Sequence, residues 1–167
     1  MADDPRMKCI PGKLRSIWEQ GRRERLNVLS QESVALREEV VKRSLEAVGR
    51  MNAAGVRFLA GTDSAAPNVF PGSGLHEDLA YFVQAGLAHM QALQAATRNP
   101  AEFLGKLQTQ GTIEPGKFAD LLLLDANPLD DIHNTQRIRA VLLHGKMLDR
   151  KSLDGLLEAE EKFAASH

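Results

Sequence analysis

The spacing of the apolar residues changes near Gly105, and this change constrains the fold more than any other feature of the chain. Before Gly105, apolar residues recur at helical spacings, most clearly between Val34 and Met51. After it, tight turns separate two short apolar runs, Leu121–Leu124 and Ile138–Leu143. We therefore expect an α/β fold in which a small antiparallel β unit follows a helical part. Four consecutive leucines have no polar face to offer water, so we expect Leu121–Leu124 to be a central, buried strand.

The start and stop signals of helices divide the remaining sequence. Gly55 and Gly86 follow two periodic segments, where glycine commonly ends a helix. The predicted helices cover Lys13–Asn27, Glu32–Ala54, Leu75–Ala85, Met90–Thr97, a short turn from Asn99 to Leu104, and the tail from Ser152.

A carboxylate follows the one strand predicted within the helical part. The apolar run Val56–Ala60 predicts a buried strand, and Gly61-Thr62-Asp63-Ser64 comes directly after it. Enzymes built on sheets hold catalytic groups at the carboxyl ends of strands, where these groups share a crevice. The alternative is a turn-forming Asp, since Asp commonly hydrogen-bonds its own backbone in turns.

Composition excludes several classes of function. The 167 residues contain 43% hydrophobic and 26% charged residues, with a net charge of −1, which gives no electrostatic case for nucleic acid or an anionic membrane. The single cysteine, Cys9, excludes an internal disulfide and a thiolate metal cluster. The apolar runs are too short to span a membrane. The first residues lack the pattern of a signal peptide, so we expect a cytoplasmic protein.

Several segments, in order along the chain, resemble one known family. They are Ala54-Gly55-Val56 before Gly61-Thr62-Asp63-Ser64, then Leu75-His76-Glu77-Asp78-Leu79, Ala92-Leu93-Gln94-Ala95-Ala96-Thr97-Arg98-Asn99-Pro100-Ala101, Gly111-Thr112-Ile113-Glu114-Pro115-Gly116-Lys117-Phe118-Ala119-Asp120-Leu121 and Asp125-Ala126-Asn127-Pro128-Leu129. Together they resemble the C-terminal part of a metal-dependent amidohydrolase of the imidazolonepropionase and dipeptidase-like branch.

The resemblance implies a composite architecture. It predicts a partial TIM-like barrel, the last one or two β/α units, followed by part of a small antiparallel β-sandwich. The implied domains are residues 1–105 for the barrel portion, 106–150 for the sandwich portion and 151–167 for a C-terminal helical tail.

The resemblance also implies a chemistry, the hydrolysis of C–N bonds in amide or dipeptide-like substrates. Family members use a water activated by a divalent metal, most often zinc, because the ion lowers the pKa of the bound water. Asp63 matches the carboxylate that binds or approaches the metal and transfers the proton to the leaving amine. His76 matches a loop histidine that could face the substrate, and a surface histidine is the rival interpretation.

The sequence departs from the family pattern in its metal ligands. It contains no His-x-His pair, and no histidine precedes Asp63. A full barrel takes roughly 250 residues, and a catalytic zinc typically has three protein ligands. We therefore expect this chain alone to be an inactive fragment of a hydrolase. The alternative is a non-catalytic remnant or interaction module. Because a barrel fragment exposes strand edges, we also expect self-association into a homodimer or larger species.

Overall fold

The computed structural model describes residues 4–64, 67 and 69–166. Over these residues the fold is α/β, with helices and a three-stranded antiparallel sheet. None of the helices described combines the length and the apolar character that crossing a membrane requires.

The predicted helices are confirmed, with small changes at their ends. They are α1 (Gly12–Val28), α2 (Gln31–Ala53), α3 (Gly74–Gln84), α4 (His89–Ala96), α5 (Arg98–Phe103) and α6 (Arg150–Ser166). Two 3₁₀ helices add to them, the first at Pro5–Cys9 and the second at Ile132–Gln136.

Local signals account for both ends of α2. The hydroxyl of Ser30 accepts a hydrogen bond from the backbone N–H of Ser33 at 3.1 Å, which satisfies one free donor at the start of the helix. Gly55 follows the end of the helix with a φ of +82°, a conformation that glycine adopts without steric cost.

The sheet consists of β1 (Leu121–Leu124), β2 (Ile138–Leu143) and β3 (Lys146–Asp149) in that order. A two-residue turn joins β2 to β3, and both of its residues, His144 and Gly145, have positive φ, as such hairpin turns require. The carboxylate of Asp120 stabilises this turn by accepting a hydrogen bond from the His144 backbone N–H at 2.6 Å.

The predicted central position of Leu121–Leu124 is wrong. The central strand is β2, and β1 lies at an edge of the sheet. Leu122 and Leu123 are 55% and 48% exposed. The sequence pattern reports an apolar strand correctly, but the number of strands beside it depends on the rest of the fold.

The predicted strand Val56–Ala60 is also wrong, because these residues do not pair with another strand. Residues of the neighbouring helices α4 and α5 supply the hydrogen-bond partners that an adjacent strand would otherwise provide. The Ala60 N–H donates to the Ala95 carbonyl at 2.8 Å, and the Asn99 side-chain amide donates to the Phe58 carbonyl at 3.0 Å. Neighbouring strands of the described sheet are antiparallel, whereas a TIM-like barrel is built from parallel strands, so the partial TIM-like barrel stays an interpretation.

Two small clusters of buried residues position the region around α3. The first joins the N-terminal segment, α1 and the loop before α3; its members are Met7, Ile10, Trp18 and Phe70. The second joins α3, α4 and the second 3₁₀ helix through Leu79, Ala92 and Ile132. Helix α3 is therefore fixed against both the helical part and the β unit.

Candidate active site

The Gly61–Ser64 loop presents Asp63 to solvent in an unusual backbone conformation. Asp63 is exposed, and its φ of +43° lies in the left-handed region. Non-glycine residues seldom adopt this region, although Asp does so more readily than most. The two residues before Asp63, Gly61 and Thr62, both contact α3, and these contacts help to decide where this carboxylate lies.

Two contacts join this loop to the start of α3. A Cβ added to the buried Gly74 would lie 3.2 Å from the Thr62 Cγ2, so glycine allows the close approach of Thr62. The backbone N–H of Gly61 also hydrogen-bonds to the carboxylate of Asp78, one turn further along α3. The position of Asp63 therefore depends on α3.

Asp78 is a half-buried carboxylate at the base of this contact. Burial raises its pKa, and the hydrogen bond from Gly61 opposes that effect. Its Oδ2 atom is buried and has no hydrogen-bond partner among the residues the structure describes. Asp78 thus combines a role in holding the loop with an unsatisfied oxygen, which costs stability.

His76 lies on the first turn of α3 and is half-buried. Its Nδ1 atom is 3.0 Å from the hydroxyl oxygen of Thr135, a buried residue of the second 3₁₀ helix. The Thr135 hydroxyl in turn donates to the Ile132 carbonyl at 2.8 Å. Burial lowers the pKa of His76, so its imidazole is neutral in the neutral pH range.

An arginine from the N-terminal segment covers the other side of this turn. Arg6 pairs with Glu77, which is next to His76, and its guanidinium lies 4.3 Å from the centre of the Phe70 ring. Arg6 also pairs with Asp4 at 2.7 Å, and the hydrogen bond from its side chain is the main reason why the pKa of Asp4 falls to about 2. These contacts anchor the loop that enters α3.

The side chains described here do not by themselves fit a metal centre. Over residues 4–64, 67 and 69–166, no three His, Cys, Asp or Glu side chains are grouped so that they could hold a metal ion. A catalytic zinc needs three protein ligands. Any metal at Asp63 would therefore need ligands from outside this part of the structure.

The structure brings both predicted site residues to the same helix end. Asp63 lies in the loop that contacts α3, and His76 lies in α3 itself. Sequence reasoning did not assign roles to Asp78 or Thr135. Asp78 lies two residues from His76 in the Leu75–Leu79 segment that resembles the family, and this proximity could have marked it as a candidate site residue. Thr135 gives no local signal, because 59 positions separate it from His76.

Comparison with known families identifies the chain. The model of the amidohydrolase family matches residues 8–148, which include the Asp63 loop, α3 and all but the last residue of the sheet. The chain belongs to the amidohydrolase family. The resemblance inferred from the sequence is thus confirmed.

Individual members of the family match this amidohydrolase chain over part of their length. Imidazolonepropionase from Thermoplasma acidophilum (strain ATCC 25905 / DSM 1728 / JCM 9062 / NBRC 15155 / AMRC-C165) is 37% identical over 79 residues, which is 44% of this chain and 19% of the relative. 5-methylthioadenosine/S-adenosylhomocysteine deaminase from Moorella thermoacetica (strain ATCC 39073 / JCM 9320) is 33% identical over 137 residues, or 70% of this chain and 32% of the relative.

A solved structure matches nearly the whole chain. Bottromycin amidohydrolase superposes on 95% of this chain with a TM-score of 0.78 and 26% identity, and the match covers 34% of its own length. The chain therefore spans about a third or less of the length of these three relatives.

Proposed function

We propose that this chain is the C-terminal part of an amidohydrolase that hydrolyses C–N bonds in amide or dipeptide-like substrates. One observation carries the proposal: an exposed carboxylate, Asp63, and a half-buried histidine, His76, lie near the start of α3 in a chain of this family. Asp63 is the catalytic carboxylate and the one recognisable metal-site residue, and His76 binds substrate. Membership of the family supports a divalent metal as the cofactor of the complete enzyme, and we propose that this metal is zinc.

The described residues leave this site incomplete. A metal ion that activates water needs several ligands held by supporting hydrogen bonds, and one carboxylate does not meet that need. We expect the remaining ligands to come from other parts of an amidohydrolase barrel, of which this chain supplies the last one or two β/α units. The chain by itself is then inactive. The proposed domains at 1–105, 106–150 and 151–167, and the cytoplasmic location, stay predictions.

The first test of this proposal uses the isolated chain. We expect neither metal retained after dialysis against zinc-free buffer nor turnover of dipeptides and acyl amides, in the wild type and in Asp63→Asn alike. Stoichiometric zinc in the wild type, with turnover that Asp63→Asn abolishes, would contradict the fragment interpretation and require a site assembled between copies of the chain.

A chimera tests whether the chemistry of the site is preserved. Bottromycin amidohydrolase aligns with 95% of this chain, so this chain can replace the matching third of that protein. We expect the chimera to bind zinc and to turn over an amide substrate, and Asp63→Asn to lower kcat at least about a hundredfold, as expected for loss of an acid–base group. Asp130→Asn, at an exposed position of the β unit, is the matched control and leaves kcat unchanged.

The competing function is a non-catalytic remnant that keeps only the packing of the family. The missing three-ligand group among the described residues is compatible with it. A folded chimera that binds no zinc and has no turnover would favour the remnant. An upstream reading frame with a His-x-His pair would favour the truncated enzyme.

We further propose that the chain self-associates through its sheet, with a second copy as the partner. Apolar side chains occupy both faces of the three strands. The aligned positions are Leu122, Val141 and Leu148 on one face and Leu121, Leu142 and Met147 on the other. Leu122 and Met147, one from each face, are more than half exposed. Burying such surface is favourable, and a two-fold dimer is the commonest closed way to do so.

A further inference from the structure

The hydrogen bond between His76 and Thr135 connects the proposed site to the β unit. Thr135 is 5% exposed, and among the described residues it is the one polar residue that counts as buried. Its hydroxyl lies between two groups, the Nδ1 atom of His76 at 3.0 Å and the carbonyl oxygen of Ile132 at 2.8 Å. Counting the protons of these three groups fixes the direction of each bond.

The Thr135 hydroxyl has one proton to donate. The carbonyl of Ile132 can only accept, so the bond between them uses that proton. The hydroxyl oxygen must then accept from His76, which requires the proton of a neutral imidazole to be on Nδ1. The reverse arrangement would give up the bond to Ile132 in a buried position, where a lost hydrogen bond is costly.

This assignment also fixes the protonation state of Nε2, the other nitrogen of the His76 ring. With the proton on Nδ1, Nε2 of neutral His76 carries a lone pair and accepts hydrogen bonds. Burial keeps the ring neutral at neutral pH, because it lowers the pKa of the imidazole.

We propose that Thr135 is a positioning residue that holds His76 in the Nδ1–H form, so that Nε2 accepts a hydrogen bond from an N–H or O–H group of the substrate. The second half of this statement rests on the proposed role of His76 in substrate binding. An acceptor at Nε2 narrows the substrate class. An amide with a free N–H should be preferred to its N-methyl analogue, which has no N–H to donate to Nε2.

Nitrogen NMR of the histidine side chains tests the first half on the isolated chain. At pH 8 we expect the His76 Nδ1 signal to be that of a protonated nitrogen and the Nε2 signal that of an unprotonated one. Thr135→Val removes the hydroxyl with little change of shape, so the proton redistributes between the two nitrogens. Thr135→Ser restores the wild-type spectrum.

Thr109→Val is the matched control. The Thr109 hydroxyl donates to the carbonyl three residues earlier, as the Thr135 hydroxyl does, but no histidine among residues 4–64, 67 and 69–166 hydrogen-bonds to it. This variant leaves the His76 signals unchanged. A proton on Nε2 in the wild type overturns the proposal even if Thr135→Val fails to fold, and so does a folded Thr135→Val with wild-type signals.

The chimera tests the second half. We expect Thr135→Val to lower kcat/KM for a free N–H amide about tenfold, the size expected when one buried hydrogen bond is lost, and Thr135→Ser to restore it. The N-methyl analogue is a poor substrate for all three proteins. An active chimera in which Thr135→Val moves the NMR signals but not kcat/KM would overturn the substrate contact. A chimera without turnover would instead contradict the proposed function, while the NMR result on the isolated chain still decides the role of Thr135.

Discussion

At the scale of single residues, His76 couples the stability of the fold to pH. Burial lowers its pKa below the ordinary value of 6.5, so the unfolded chain binds more protons than the folded chain between the two pKa values. Stability therefore decreases as pH falls through 6.5 towards the folded pKa. We expect His76→Gln to lose this part of the pH dependence in urea unfolding measured from pH 8 to pH 5.

The control for this measurement is Gln108→Ala, at an exposed position whose side chain does not titrate. It should keep the wild-type slope of stability against pH. An NMR titration of the wild type should place the midpoint of His76 below 6.5. A midpoint above 6.5, or a slope that His76→Gln leaves intact, would show that burial does not dominate the environment of His76.

The same residues show how far a site can be predicted from sequence. Asp63 and His76 lie in short segments whose spacing is visible along the chain, and the structure places both at one end of α3. Their proposed roles remain to be tested. Thr135 was not predicted, because its contact with His76 depends on packing between elements 59 positions apart. Periodicity and local motifs carry no information about such a contact.

At the scale of elements, the helices were predictable because their signals are local. Caps, glycine stops and helical spacing act within a few residues, so α2 ends where Gly55 indicates. The Val56–Ala60 segment has strand-like residues, yet a strand also needs a neighbour, and its backbone groups instead bond to Ala95 and Asn99. The edge position of β1 in the sheet was not predicted for the same reason, since it depends on which strands lie beside β1.

Two glycines within helices should respond oppositely to the same substitution. A Cβ at Gly49 of α2 would lie 2.5 Å from the carbonyl oxygen of Ala85 at the end of α3, whereas a Cβ at Gly21 of α1 has no atom within 4 Å. We expect Gly49→Ala to lower the free energy of unfolding by roughly 1–3 kcal/mol through overpacking. Gly21→Ala should raise it by about 0.5–1 kcal/mol, since alanine favours a helix. Urea unfolding midpoints measure both, and a stabilised Gly49→Ala would show that α2 does not pack closely on α3.

At the scale of the whole molecule, much apolar surface is left exposed. Helix α2 has 23 residues, none of which is buried, and Val34, Val40 and Val41 are each more than 40% exposed on it. The sheet adds Leu122, with Leu143 and Met147. Contiguous exposed apolar surface usually marks an interaction site. These two related proteins are between two and three times as long as this chain, so corresponding surfaces in them have further chain available to cover them.

The self-association proposal makes the last prediction. Light scattering at micromolar concentration should give at least twice the mass of one chain for the wild type. Because Leu122 is 55% exposed at the sheet edge, Leu122→Asp should fold, with an unchanged circular dichroism spectrum, and should be monomeric, since an unpaired charge opposes burial of that face. The control is Ile113→Asp at a loop residue that is 84% exposed and away from the strands; it should keep the wild-type mass. A wild type that stays monomeric contradicts self-association. A folded Leu122→Asp that keeps the wild-type mass would instead place the interface on another surface, for which α2 is the next candidate.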